Sequence, residues 1–276
     1  MAMKIALFTA GFSKYPIERA FEAAARYGYD GIEIGGFRPH AYAPDLAAGK
    51  AEKIRSLSQS YHLPIVSYAP ENTGSPYSLV FADKKMNEES LEYFKLTLDM
   101  AKAIGSEYCM LACNHPGYGR NREEVKKLFI ENMRILSEHG EKIGQTIILE
   151  PVTPYEGTII TTSDDVRWAL DQVDSPRFKC MLDLACPVTC GEPVAAYFEK
   201  MGSDVRHIHF IDCVSTSEDH LIPGDGEIDF PRLVSYLKET GYDGYLSLEL
   251  FSRYAAEPDF AAHRGYQAIR ALLDEN

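Results

Sequence analysis

Three carboxylates and one imidazole, each in or at the end of a short apolar run, could share one metal ion. The four residues are Glu150, Asp183, His209 and Glu249. Three anions in one site of low dielectric would repel one another and shift one another's protonation, and a divalent cation removes that conflict. The ligand types favour Mn2+, with Co2+, Mg2+ and Fe2+ as alternatives, and Zn2+ fits them less well. The sequence therefore predicts one metal centre.

Such a centre would suit the chemistry of an α-hydroxyketone, whose carbonyl and hydroxyl oxygens can occupy two open metal positions. The ion would stabilise the enediolate that forms when a base removes the carbon-bound proton. Glu150 and Glu249 are suited to be that base while they also bind metal. Two bases on opposite faces would invert the carbon, whereas one base that returns the proton to the neighbouring carbon would isomerise the sugar. The residues alone leave both outcomes open.

Eight apolar runs rich in β-branched residues alternate with amphipathic segments along the chain. Eight units of roughly 30 residues predict a single (β/α)8 TIM barrel, in which the carboxyl ends of all strands share one mouth. No linker interrupts the pattern, so residues 1–276 are expected to form one domain. The predicted strands are residues 4–8, 31–34, 65–68, 108–113, 146–150, 179–183, 207–211 and 245–250. The predicted helices are residues 17–27, 51–62, 88–104, 123–143, 164–173, 194–201, 231–240 and 261–273.

Composition narrows the class of partner. The formal net charge of −13 argues against nucleic acid and against an anionic membrane surface, because both require a basic face. The first residues lack a signal-peptide pattern, and no apolar run approaches the roughly 20 residues that span a bilayer. The six cysteines are scattered and are expected to be reduced. These features predict a soluble, cytoplasmic protein.

The four predicted ligands and the motif at residues 149–151, followed by Glu156, carry a family resemblance over essentially the full chain. The chain resembles the xylose-isomerase-like barrels and, within them, the sugar 3-epimerases, which place Glu, Asp, His and Glu ligands on strands five to eight. The resemblance implies that Glu150 and Glu249 form an acid/base pair and that Glu156 binds substrate near the reacting carbon. It also implies a sugar substrate and a homo-oligomer.

Four stretches are more specifically similar to the fructoselysine 3-epimerases, which interconvert fructoselysine and psicoselysine. They are residues 29–34, 38–46, 149–156 and 220–226. Free-ketohexose 3-epimerases have a substrate-binding histidine where this chain has Cys186, and an arginine where it has Ser215. The resemblance thus implies a ketose with a substituent at C1. A free or phosphorylated ketose, an aldose–ketose isomerisation and a non-catalytic sugar-binding barrel are the alternatives.

Loops at the mouth of a barrel carry specificity, so polar residues that follow the strands are candidates for substrate contact. Besides Glu156, the candidates are Tyr68, His115, Cys186 and His220. Tyr68 and Glu71 could either contact the sugar or simply cap the loop that follows the third strand.

Three further residues have weaker interpretations. Arg38 could meet the carboxylate of an amino-acid substituent. Glu33 is either a member of the site or a group packed beneath the ligands. His207, one pleat deeper than His209, is expected to support the ligands or to fill the core.

Overall fold

A computed structural model describes residues 3–70 and 76–275. Within these residues, eight parallel strands pair in sequence order and β8 pairs with β1, which closes the barrel. The fold is the single (β/α)8 TIM barrel that the sequence predicts. The strands are β1 (Lys4–Phe8), β2 (Gly31–Gly36), β3 (Ile65–Pro70), β4 (Tyr108–Ala112), β5 (Thr146–Glu150), β6 (Phe178–Asp183), β7 (Val205–His209) and β8 (Tyr245–Leu248).

Helices cover the outside of the barrel. The α-helices of the described residues are α1 (Ile17–Tyr27), α2 (Ala43–Asp45), α3 (Ala51–Tyr61), α4 (Lys84–Ile104), α5 (Arg122–Ile143), α6 (Ser163–Val173), α7 (Ala185–Cys190), α8 (Ala195–Met201), α9 (Phe230–Thr240) and α10 (Pro258–Glu275). The helix α4 begins earlier than predicted because the Asp83 side chain accepts a hydrogen bond from the Met86 amide and caps it. The sequence misses α2 and α7, which are too short to show a helical period.

The sequence predicts that the seventh strand ends at residue 211, but β7 ends at His209. Phe210 and Ile211 continue the apolar run, but they are buried outside the strand, where the ring of Phe210 lies 5.0 Å from that of Phe230 at the start of α9. An apolar run records burial and not hydrogen bonding, so it extends past the end of the strand. The consequence is that His209 stands at the rim of the barrel.

Alternation along the strands separates the barrel interior from the layer beneath the helices. A small apolar cluster that includes Phe8, Met110, Ile148 and Met181 is distinct from the main core packed between strands and helices. Ile148 lies two residues before the end of β5, so it shares a face with Glu150. The interior therefore passes from apolar side chains to carboxylates at one end of the barrel.

Candidate metal centre and active site

The four predicted metal ligands converge at the carboxyl ends of four consecutive strands. Glu150, Asp183 and His209 are the last residues of β5, β6 and β7, and Glu249 directly follows β8. All four are buried. One potential ligand atom from each lies within 4.8 Å of those of the other three. The barrel thus gathers residues from a hundred positions of sequence into one small volume.

The imidazole of His209 lies at the centre of this group. Its Nδ1 atom is 2.6 Å from Glu249 Oε2 and 2.9 Å from Glu150 Oε1. Asp183 Oδ2 lies 3.9 Å from the same atom. His209 Nδ1 and Glu249 Oε2 are buried, yet neither makes a hydrogen bond of good geometry. Buried lone pairs that converge without hydrogen bonds fit a divalent cation, which would be coordinated by all four side chains.

The other edge of the His209 ring is held from below. Glu33 Oε2 lies 3.2 Å from His209 Nε2 and 2.9 Å from His207 Nε2, and it accepts a 2.7 Å hydrogen bond from the Ser247 hydroxyl. Glu33 is completely buried. The ring of Phe8 stacks on His209 at 5.6 Å. A carboxylate on Nε2 favours the proton there and leaves the Nδ1 lone pair facing the cluster, so Glu33 lies beneath the ligands.

Burial and neighbouring charges shift the pKa values of Glu150 and Glu249 in opposite directions. Burial raises the pKa of Glu150 to about 8, against the opposing effect of His209. Burial also raises the pKa of Glu249, but His209 and His220 outweigh it and lower that pKa to about 2. Without a cation, a proton therefore favours the Glu150 side of the pair, and binding of a metal ion would displace it.

Two of the predicted substrate contacts border the cluster. Glu156 and His220 line an inner cavity of about 90 Å3, together with Glu150, Asp183 and Glu249. Burial, followed by the charge of Asp183, raises the pKa of Glu156 to about 7.

His220 contacts two of the ligands directly. Its Nδ1 atom lies 3.2 Å from Glu249 Oε2, and its Nε2 atom lies 3.6 Å from Asp183 Oδ2. Burial lowers the pKa of His220, but these two carboxylates outweigh it and raise that pKa to about 9. Without a cation, these two carboxylates therefore favour the protonated form of His220 at the wall of the cavity.

The structure does not bring three other candidates to the cavity wall. The hydroxyl of Tyr68 donates a 2.7 Å hydrogen bond to the Ala41 carbonyl within the main core, because Tyr68 lies on the outer face of β3. Cys186 is buried behind the cavity, with its thiol 3.1 Å from the Pro151 carbonyl. His115 is half-buried in its loop, where Nδ1 accepts a hydrogen bond from its neighbouring Gly117 amide.

Two weaker candidates have other outcomes. Arg38 forms an ion pair with Asp45 at the surface and does not line the inner cavity. Glu71 lies outside the described residues.

The cavity also has an apolar wall that sequence patterns did not single out. Phe8, Phe37, Met110 and Phe251 line it opposite the carboxylates. Phe8 is the last residue of β1, but an aromatic residue at the end of a strand is as typical of a core as of a binding site. A second cavity, of about 490 Å3, lies at the opposite end of the barrel around Lys4 and Gly244, far from the ligand cluster.

Comparison with known proteins agrees with this fold. A family model described as the xylose isomerase-like TIM barrel matches residues 21–273, and the chain belongs to this family. It is 42% identical over 274 residues to the fructoselysine 3-epimerase of Escherichia coli O157:H7. The matched region covers 99% of this chain and 100% of that protein.

Solved structures of sugar epimerases share the architecture. The 3-keto-D-glucoside 4-epimerase YcjR from E. coli, in its apo form, matches 99% of this chain and 100% of its own with a TM-score of 0.81 and 20% identity. The D-allulose 3-epimerase from Methylomonas sp. in complex with D-allulose matches 98% of this chain and 97% of its own, with a TM-score of 0.79 and 20% identity. At these identities the likeness shows the fold.

The full-length similarity to fructoselysine 3-epimerases shows that the chain is an enzyme, an isomerase of the carbohydrate epimerase class. Among the described residues, no helix combines the length and the apolarity needed to cross a bilayer.

Proposed function

We propose that this protein is a metal-dependent 3-epimerase of ketoses and that its substrate carries an amine at C1, as fructoselysine does. The observation that carries the proposal is the meeting of Glu150 and Glu249 at a single atom, His209 Nδ1. Two carboxylates at one centre can act on both faces of a carbon held between them. The full-length similarity to a fructoselysine 3-epimerase supports the choice of substrate.

The residues of the chain divide the reaction between them. Glu150, Asp183, His209 and Glu249 would hold a divalent cation, with Mn2+ favoured by the ligand types, and this ion would supply positive charge to stabilise the negative charge that develops on the substrate oxygens. One glutamate removes the proton from C3, and the other delivers a proton to the opposite face. The carbon is thereby inverted while the ketone stays at C2.

The surroundings of the cluster support this proton transfer. Phe8, Phe37 and Phe251 form an apolar wall that limits the water around the reacting carbon and strengthens the interactions of the charged groups. Glu156 and His220 reach the cavity from loops and can hydrogen-bond to sugar hydroxyls. Their task is to fix the orientation of C3 between the two glutamates.

Product analysis in heavy water tests the proposal. Enzyme loaded with Mn2+ should convert fructoselysine into psicoselysine with one solvent deuterium at C3, as seen by proton and carbon NMR. Conversion without deuterium, or formation of an aldose, would contradict the mechanism.

Glu150→Gln and Glu249→Gln sharpen the test under saturating Mn2+. Each variant keeps one base, so neither should invert C3. The variant whose remaining glutamate faces the C3 proton of fructoselysine should still exchange that proton with solvent. If both variants form psicoselysine at the wild-type rate, the assignment of the two bases is wrong. A cytoplasmic location and a homo-oligomer stay predictions.

A further inference from the structure

A third, outer cavity of about 430 Å3 adjoins the inner one. The two share four wall residues, Ala10, Glu156, His220 and Phe251. Since the inner cavity ends where the outer one begins, a ligand that fills the first can extend into the second. The outer cavity is built from the loops that follow β1, β5, β7 and β8, at the mouth of the barrel.

The outer cavity has cationic side chains on its wall, although the chain as a whole is strongly acidic. Lys14 and Arg253 both line it and are exposed. Lys14 forms no ion pair with another described residue. Arg253 has a 3.9 Å contact with Asp219 between two exposed side chains, and such a contact contributes little to stability. Both cations are therefore available to an anionic group.

Acidic side chains line the same cavity. Glu218 and Asp219 follow the end of β7. The Thr153 hydroxyl donates a 2.9 Å hydrogen bond to Glu218 Oε2 and lies 3.4 Å from Glu156 Oε2. This contact fixes the carboxylate of Glu218 beside the passage from the inner cavity, in a position to accept hydrogen bonds from a cation.

Charges of both signs, set around an apolar junction, fit a zwitterion on a flexible chain. Phe251 stands at the junction with 43% of its surface exposed, and its ring lies 4.6 Å from that of His220. An exposed aromatic ring at this point can pack against methylene groups. An anion close to the metal ligands would be repelled by their carboxylates, so the cations that receive it must lie farther out.

We infer that the outer cavity binds the α-amino acid head of a ketose substituted at C1, and this inference rests on the proposed function. Lys14 and Arg253 bind the α-carboxylate, while Glu218 and Asp219 bind the α-ammonium group. Phe251 packs against the methylene chain that joins the head to the sugar. The cavity thus selects a ketose joined to an amino acid over a free ketose. Lys14 and Arg253 thus have the role that the sequence suggested for Arg38, which is to bind the carboxylate of an amino-acid substituent.

A panel of four C1-aminated ketoses tests each charge separately. The panel consists of fructoselysine and the fructose conjugates of three lysine analogues. The conjugate of 6-aminohexanoic acid lacks the ammonium group, that of 1,5-diaminopentane lacks the carboxylate, and that of pentylamine lacks both. For the wild-type enzyme, kcat/KM should be highest for fructoselysine and lowest for the pentylamine conjugate. Charge-assisted hydrogen bonds at a partly exposed site predict a total preference of about tenfold, expressed mainly in KM.

Three variants assign the charges to residues. Lys14→Met should lower the preference for each carboxylate-bearing conjugate, over the conjugate that lacks only the carboxylate, by about threefold. Glu218→Gln should lower the preference for each ammonium-bearing conjugate, over the conjugate that lacks only the ammonium group, by the same factor. Lys85→Met, an exposed lysine on α4, should leave every ratio unchanged.

The outcomes separate the two proposals. Equal kcat/KM across the panel, with the ratios unchanged in Lys14→Met and Glu218→Gln, would remove the amino-acid subsite and leave the epimerase intact. If the enzyme turned over free ketoses but none of the four conjugates, the proposed substrate and the subsite would both be wrong.

Discussion

The Nε2 atom of His209 lies 3.2 Å from Glu33 Oε2, on the edge of the ring opposite the other three predicted metal ligands. Glu33 comes from β2, across the barrel from β7, and it also contacts His207 and Ser247. One buried carboxylate therefore ties the imidazole of the predicted metal ligand His209 to the barrel interior and selects its tautomer.

Glu33→Gln should weaken metal binding although Glu33 is not a ligand. The amide can present its N–H to His209 Nε2, which would favour the tautomer with a proton on Nδ1, the atom needed for the metal. Changes of this kind cost on the order of tenfold to a hundredfold in affinity. Titration of Mn2+ by calorimetry measures the loss, and circular dichroism checks the fold.

Ser247→Ala is the matched control for Glu33→Gln. It removes a donor to the same carboxylate without touching His209, so its effect on Mn2+ affinity should be smaller. An unchanged affinity in Glu33→Gln, with the fold intact, would mean that Glu33 only fills the interior.

Asp183→Asn should abolish stable metal binding and activity while the proton-transfer pair stays in place. A neutral amide is a weaker ligand than a carboxylate for hard cations. In the wild type, an ion at a hundred times its dissociation constant stabilises the fold by about 2.7 kcal/mol, and this increment should vanish in the variant.

Thermal unfolding with and without Mn2+ gives the comparison for Asp183→Asn. Asp171→Asn, on the surface of α6, should retain both the metal-dependent stabilisation and the activity. Full stabilisation of Asp183→Asn by Mn2+ would exclude Asp183 as a necessary ligand.

Glu156→Gln should make the metal-free protein less sensitive to pH. The folded pKa of Glu156, about 7, lies above its ordinary value of 4.5 because of burial and the charge of Asp183. The folded state therefore binds this proton more tightly than the unfolded state, and stability is lost as pH rises from about 4.5 to about 7. With a discount for partial exposure, Glu156 accounts for about 2 kcal/mol of that loss.

Urea unfolding of both proteins at pH 4.5 and pH 8, with a chelator present, tests the Glu156 prediction. Wild type should lose more unfolding free energy than Glu156→Gln between pH 4.5 and pH 8, so the variant should gain stability relative to wild type at the higher pH. The exposed Glu138→Gln should show no such shift. A constant difference between wild type and Glu156→Gln would contradict the perturbed pKa.

Asp212→Asn should loosen the loop that carries His220. Asp212 is completely buried, and its carboxylate accepts hydrogen bonds of 2.7 to 3.1 Å from the amides of Cys213, Gly224, Gly226 and Ile228. An amide side chain has only one acceptor oxygen, so buried N–H groups lose their partner at a cost of about 3 kcal/mol.

Urea unfolding and KM are the readouts for Asp212→Asn. Stability should fall and KM should rise, because His220 is next to the backbone pairing of Asp212 with Leu221. Asp225→Asn, in the same loop but paired with Arg264 at the surface, should have little effect on either quantity. Wild-type stability in Asp212→Asn would show that water or backbone movement satisfies the four amides.

The clustering of Glu150, Asp183, His209 and Glu249 was predictable because these residues break a pattern. A carboxylate at the end of an apolar strand, as in Glu150 and Asp183, has no place in a core. The barrel then dictates that such strand ends meet. Tyr68 shows the limit, because both faces of a barrel strand are buried and residue type does not tell which face is inward. In β3 the small Ser67 and Ala69 face the interior, and Tyr68 packs outside.

Contacts between distant loops could not be predicted from the sequence. Nothing near Lys14 indicates that residues 240 positions away complete a cavity with it, because this proximity arises only when β1 pairs with β8. Likewise, the sequence does not indicate that the amides of Gly224 and Gly226 donate hydrogen bonds to the carboxylate of Asp212.

Since Glu150, Asp183, His209 and Glu249 stand on successive strands, a bound cation would act as a clasp around half of the barrel rim. Separating any neighbouring pair among β5 to β8 at that rim would require a metal–ligand bond to break, whereas β1 to β4 have no such restraint. Amide hydrogen exchange should therefore slow on Mn2+ addition mainly in the second half of the chain. Metal supply would then govern how long the polypeptide survives proteolysis as well as how fast it turns over substrate.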